Sequence, residues 1–199
     1  MIVIGITGPT GAGKTTALDE LEKLGGGVID CDAVYHELLE SDIALQGLLI
    51  QEFGAIEDEK GGIDRKKLGA IVFHDPEALE RLNRIVNEAI TKAVKERLEA
   101  YQVKKSCPAA AIDAIGLFES GLAQLCDTTL AIIAPAEVRV KRIMAREGIS
   151  EEYARARVAA QNPDEFYASR CKYVLCNDCS SRAEFECRSR ELLERILLQ

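Results

Sequence analysis

Apolar residues along the chain follow two alternating periods. Short β-branched or alanine-rich runs at residues 2–6, 28–30, 109–115, 129–133 and 173–176 are nearly continuous. That pattern fits strands buried on both faces better than half-exposed ones. Helical spacing fills the intervals. Ala17, Leu18, Leu21 and Leu24 follow the first run, and Leu192, Leu193, Ile196 and Leu197 form the core face of a last helix over 182–198. Leu79, Leu82, Val86, Ala89, Ile90, Ala93 and Leu98 draw one apolar stripe along a long helix. Asp75-Pro76 is its natural start. Strands interleaved with helices predict an α/β fold, a three-layer α/β/α arrangement around a five-stranded parallel sheet. Residues 33–101 interrupt the alternation with helical pattern, a Gly61-Gly62 turn and no convincing strand, so a helical insertion is expected there.

Candidate chemistry gathers where strands end. Gly8-Pro9-Thr10-Gly11-Ala12-Gly13-Lys14-Thr15 fits G-x-x-x-x-G-K-[ST], the phosphate-binding loop, between a strand and a helix as that motif requires. Gly8, Gly11, Ala12 and Gly13 would turn backbone N–H groups toward phosphate oxygens at a helix N-terminus, continuing into Thr15 and Thr16. Lys14 would reach the β- and γ-phosphates, and the Thr15 hydroxyl would join the shell of a Mg²⁺ ion. Asp113, closing the third strand, is a candidate second metal ligand. Asp30-Cys31-Asp32 closes the second strand, at the sheet edge where ligands bind in open α/β folds. Asp32 is the candidate base for an alcohol's proton. An aspartate here also suits the cap of a helix beginning near Ala33, with Asp32 the nearer, and the two roles can fall to different members of the pair.

Arg139, Lys141, Arg142 and Arg146 fall in an eight-residue stretch without an acid, and the three arginines share a helix face. After Gly148, Ser150 caps a second helix carrying Arg155 and Arg157, expected to stop at Asn162 before Pro163. Two arginine-bearing helices joined at a glycine predict a lid over transferring phosphates. Arg65, beside the Gly61-Gly62 turn, is placed to hold an anionic acceptor.

Length and charge narrow the function. At 199 residues and 47% hydrophobic, the chain suits a single domain over 1–199. Its core would be 1–32, 102–134 and 171–199, with the insertion at about 33–101 and the lid at about 135–170. A net charge of −8 argues against a nucleic-acid face. No apolar run reaches the roughly 18 residues of a membrane span, and a first strand beginning at Ile2 leaves no room for a leader. A cytoplasmic protein without membrane partners is expected. Among seven cysteines, Cys171, Cys176, Cys179 and Cys187 superficially resemble a metal-ligand set. A strand between Cys171 and Cys176 would hold them roughly 16 Å apart, so reduced thiols are expected.

The ordered series of motifs resembles the dephospho-CoA kinase family nearly end to end. Matching positions include Gly5 to Thr16, Val28-Ile29-Asp30-Cys31-Asp32, Phe53-Gly54, Ile63-Asp64-Arg65, Leu68, Val72-Phe73 and Leu82-Asn83. Leu117-Phe118-Glu119-Ser120-Gly121-Leu122, Arg142, Arg146, Gln161 and Asn177 continue the match. The resemblance implies ATP-dependent phosphorylation of the ribose 3′-hydroxyl of dephospho-CoA by a monomer that uses Mg²⁺ as cofactor. Asp32 would be the base, Lys14, Arg142 and Arg146 would serve the phosphates, and Asn177 would lie near the adenine. Thr7, Arg65, Asn87, Phe118 and Glu119 would meet the acceptor. Two positions depart from the pattern. Asn87-Glu88 replaces His-Pro, so Asn87 can donate a hydrogen bond but carries no charge. Asp113-Ala114-Ile115-Gly116-Leu117 lacks the family's proline. The residues alone leave open another small-molecule kinase, of nucleoside or nucleotide type. A GTPase-like switch fits Asp113-x-x-Gly116 but lacks an Asn-Lys-x-Asp run for guanine.

Overall fold

Strands form where the β-branched and alanine runs predict them. The structure is a computed structural model describing residues 1–59, 61–103 and 107–198. Its strands are β1 (Ile2–Thr7), β2 (Gly27–Asp30), β3 (Ala109–Asp113), β4 (Thr128–Ile133) and β5 (Tyr173–Cys176). They form one parallel sheet in the order β2-β3-β1-β4-β5. The helices are α1 (Lys14–Lys23), α2 (Cys31–Ser41), α3 (Ile43–Phe53), α4 (Arg65–Val72), α5 (Pro76–Val103), α6 (Ala136–Glu147), α7 (Glu151–Ala159), α8 (Asp164–Ala168) and α9 (Arg182–Leu197), with a 3₁₀ turn at Leu122–Leu125. Helices cover both faces of the sheet, so β1 and β3 are apolar on both sides.

The chain divides into two compact units, Met1–Ile29 with Ala100–Gln199, and Asp30–Glu99. In the first unit, Ile4, Ile6, Ala109, Ala111, Leu130 and Ile132 on one sheet face join Leu18 and Leu21 of α1 and Phe185, Leu193 and Ile196 of α9 in the main core. A smaller cluster of Val140, Ile143 and Ala154 holds α6 to α7. In the second unit, Leu82, Val86, Ile90, Ala93, Val94 and Leu98 form the buried stripe of α5. Leu79 is exposed, so the stripe starts nearer Ala78 and Leu82 than its sequence spacing implies. Asp75 accepts from the backbone N–H groups of Glu77 and Ala78, which satisfies two orphan donors ahead of Pro76.

Two local expectations need correction. The third strand ends at Asp113 rather than at residue 115. Only the Ala114 N–H continues its ladder, donating to Ile6 O at 3.2 Å. The second helix of the basic segment ends at Ala159, not Asn162, and Pro163 caps the start of α8. Proline lacks the N–H a helix interior needs, and its fixed φ suits a helix start. Here it opens the next helix rather than ending the previous one.

Candidate active site

The β1–α1 loop has the backbone its glycines permit. Gly8, Gly11 and Gly13 have φ of 137°, 81° and 108°, a region L side chains rarely adopt. Close approach excludes a side chain as well. A Cβ on Gly8 would sit 1.9 Å from the Ile132 carbonyl oxygen of β4. Lys14 folds back and donates from Nζ to Gly8 O at 3.1 Å, and Thr15 is exposed at the start of α1. Thr7 is fully buried and donates from Oγ1 to Ile115 O at 3.0 Å, tying the end of β1 to the segment after β3.

The loop's carbonyls are held from outside. Arg139 Nε donates to Thr10 O at 3.3 Å, Arg142 Nη1 donates to Gly11 O and Ala12 O at 3.3 Å each, and Asn177 Nδ2 donates to Ala12 O at 2.8 Å. Arg142 Nη2 also donates to Asn177 Oδ1 at 3.0 Å. These contacts fix the peptide planes of the loop, as an anion nest requires, while Thr10 N donates to Gln161 Oε1 at 3.1 Å and Ala12 N to Pro9 O at 3.2 Å. Asn177, at the end of β5, is 4% exposed and its amide is spent on the loop and on Arg142.

The arginines expected to form a lid separate once folded. Arg139 is buried, Arg142 is half-buried against the loop, and Arg146 is exposed and paired with Glu147. Arg157 also pairs with Glu147, while Arg155 grips Glu137 and Glu151. Sequence spacing placed Arg139 on the basic face but gave no sign that it would be its buried member. Gln161, beyond the end of α7, is engaged with Thr10, and Asn162 Nδ2 donates to Glu119 Oε1 at 3.0 Å in the segment after β3. Glu119 is thereby tied to the α7–α8 connection. Phe118 lies beside it in the same turn, and Asp113 sits at the end of β3 opposite Ile6 of β1.

In the second unit the aspartate pair divides its work. Asp30, not Asp32, caps α2: its Oδ1 accepts from Asp32 N at 2.9 Å and Ala33 N at 3.1 Å. Asp32 stands exposed in the first turn, with its carboxylate not spent on the cap. Tyr35 lies three residues on and shares its helix face. Burial raises the Tyr35 phenol pKa, and the charge of the Arg65 guanidinium opposes that rise. Arg65 is itself exposed at the start of α4. Asn87 is half-buried on α5 between Val86 and Ile90 of the buried stripe.

The seven cysteines are free thiols. Among the described residues, no group of three or more His, Cys, Asp or Glu side chains could hold a metal ion. Nor is any described helix long and apolar enough to cross a membrane.

A glycine loop with outward-held carbonyls, a lysine returned across it and a helix starting beneath it, on a parallel sheet ordered β2-β3-β1-β4-β5, define a phosphate-loop kinase. The chain belongs to the dephospho-CoA kinase family, whose profile matches residues 2–183. It is 37% identical over 180 residues to a dephospho-CoA kinase of Dehalococcoides mccartyi, covering 90% of each chain. Among solved structures it is similar to a Thermus thermophilus protein, with a TM-score of 0.82 and 34% identity over 98% of this chain and 97% of that one. It is also similar to the dephospho-CoA kinase of Campylobacter jejuni, with a TM-score of 0.70 and 25% identity over 98% and 96%.

Proposed function

We propose that this chain transfers the γ-phosphoryl group of ATP to the ribose 3′-hydroxyl of dephospho-CoA, with Asp32 as the base. The 3′-oxygen forms the new bond to the γ-phosphorus, the bond from that phosphorus to the bridging oxygen breaks, and ADP leaves with the electron pair. Asp32 takes the hydroxyl proton. The observation that carries this assignment is the division of labour at the end of β2. Asp30 is consumed as the α2 cap, so Asp32 is the carboxylate left for chemistry.

The first unit supplies groups for the donor. The N–H groups of Gly11, Gly13, Lys14 and Thr15 in the Gly8 to Thr16 loop and the ammonium of Lys14 suit the β- and γ-phosphates. Arg142, already at the loop, is the lid arginine better placed to add charge there, whereas Arg146 is engaged with Glu147. The exposed Thr15 hydroxyl and the Asp113 carboxylate are hard oxygen donors at one sheet edge, the type Mg²⁺ takes together with phosphate oxygens. When bound, that ion would neutralise charge developing on the β–γ bridge. The second unit supplies groups for the acceptor, with the exposed Arg65 suited to its phosphates and Asn87 to a neutral hydrogen bond. Thr7, Phe118 and Glu119 complete the proposed acceptor set, and Asn177 supports the adenine side through the loop it holds. Both sets belong to one chain, which supports action as a monomer, and the lack of a membrane-spanning helix among the described residues is consistent with a cytosolic enzyme.

The test is a coupled ATP-consumption assay with dephospho-CoA, set against a panel of nucleosides and nucleotides. Asp32→Asn is expected to lower turnover by about two to four orders of magnitude while ATP still binds. Turnover retained in that variant would remove Asp32 as base, and a stronger response to another panel member would reassign the acceptor.

A further inference from the structure

Every polar atom of Thr10, the third residue of the phosphate loop, is held by two side chains from the α6–α8 segment. Gln161 Oε1 accepts from Thr10 N at 3.1 Å, and Gln161 Nε2 donates to Thr10 Oγ1 at 2.8 Å. Arg139 Nε donates to Thr10 O at 3.3 Å. The two clamping side chains are themselves joined, Arg139 Nη2 donating to Gln161 Oε1 at 3.1 Å and to Val158 O at 3.5 Å. Asp164, the first residue of α8, holds the remaining arm by accepting from Arg139 Nη1 at 3.4 Å. Arg139 is 4% exposed, and a cavity of about 550 Å³ beside it is lined by α6, α7 and the α7–α8 connection.

We propose that Arg139 is a positioning residue for ATP, acting through Thr10. By fixing the Thr10 carbonyl, together with Gln161, it keeps the Gly11 N–H of the same peptide turned the opposite way, toward the phosphates. Asp164 orients the guanidinium. A buried arginine is costly unless its donors are met, and helix packing alone could be served by an apolar side chain of similar length. What an apolar side chain cannot do is hold a peptide oxygen against rotation. Preorganised dipoles matter most where charge concentrates, so the effect should appear on the donor and not on the acceptor. The inference rests on the loop binding ATP's phosphates. Were that reading wrong, the unmodified protein itself would fail to saturate with ATP.

Arg139→Met keeps length and removes every donor, and Gln161→Met, at a half-buried position, provides a second approach to Thr10 if the first variant folds poorly. Steady-state kinetics below each variant's unfolding midpoint should show KM for ATP raised by about tenfold or more in both. KM for dephospho-CoA should stay within about twofold. Arg139→Lys, which restores a charged donor, should recover part of the ATP affinity. The double variant should cost less than the product of the single effects, because both act on one residue. A variant that lost stability but kept its ATP KM would assign Arg139 and Gln161 to packing alone and overturn the proposal. So would equal rises in both KM values.

Discussion

Gly13 sits where backbone conformation and neighbours both exclude a side chain. Its φ is 108°, and a Cβ would lie 2.4 Å from Asn177 Nδ2 and 3.2 Å from Phe185 Cε1. Gly13→Ala must therefore strain the backbone and displace the amide that holds Ala12 O. Destabilisation of about 2 kcal/mol is expected, read from the denaturant midpoint, with weaker ATP binding by calorimetry. An alanine variant with unchanged stability and ATP affinity would contradict this account of the loop. The need for glycine was legible from the motif. The identity of its neighbour was not, because Asn177 lies far away in sequence. Asp32 shows the complementary case, since its pairing with Asp30 was plain but which of them caps α2 depended on the backbone angle at Asp30.

At the scale of elements, α1 and α9 are joined by a buried charge cluster that periodicity does not reveal. Glu20 of α1 is fully buried, its carboxylate held by Lys23 at 2.5 Å and by Arg190 of α9 at 2.7 Å. The hydrogen bond from Lys23, aided by Arg190, outweighs burial and keeps the Glu20 pKa below its usual 4.5. A carboxyl with a depressed native pKa stabilises the fold above its unfolded pKa and loses that contribution as pH falls through the native value. Arg190→Ala should cost about 2 kcal/mol at neutral pH, with a smaller penalty in acid than at pH 7. Urea unfolding at both pH values checks this, and a pH-independent penalty would reject the ion pair as the cause. Glu20 reads in the sequence as one more polar helix position. Its burial is set by α9, whose contact with α1 depends on the complete sheet.

The chain carries the phosphate loop in one unit, and in the other the proposed base and the arginine proposed for the acceptor. If the oxygen donors Thr15 and Asp113 serve a Mg²⁺ ion, chelation should abolish turnover, and added Mg²⁺ should restore it in the same coupled assay. Full activity in excess chelator would refute the metal role. By itself the sequence determined the layered α/β architecture, the strand positions, the phosphate loop and the family. Those features rest on local periodicity and on contiguous motifs, where neighbours in the chain are neighbours in space. Only the tertiary structure decided which arginine of α6 is buried, what Gln161 and Asn177 hold, which aspartate caps α2, and that Glu20 is enclosed. Each of those outcomes turns on desolvation and hydrogen bonding between residues remote in the chain, and α6 shows it best. Arg139, Arg142 and Arg146 look alike along one helix face, yet Arg139 holds Thr10, Arg142 the Gly11 and Ala12 carbonyls, and the exposed Arg146 pairs with Glu147.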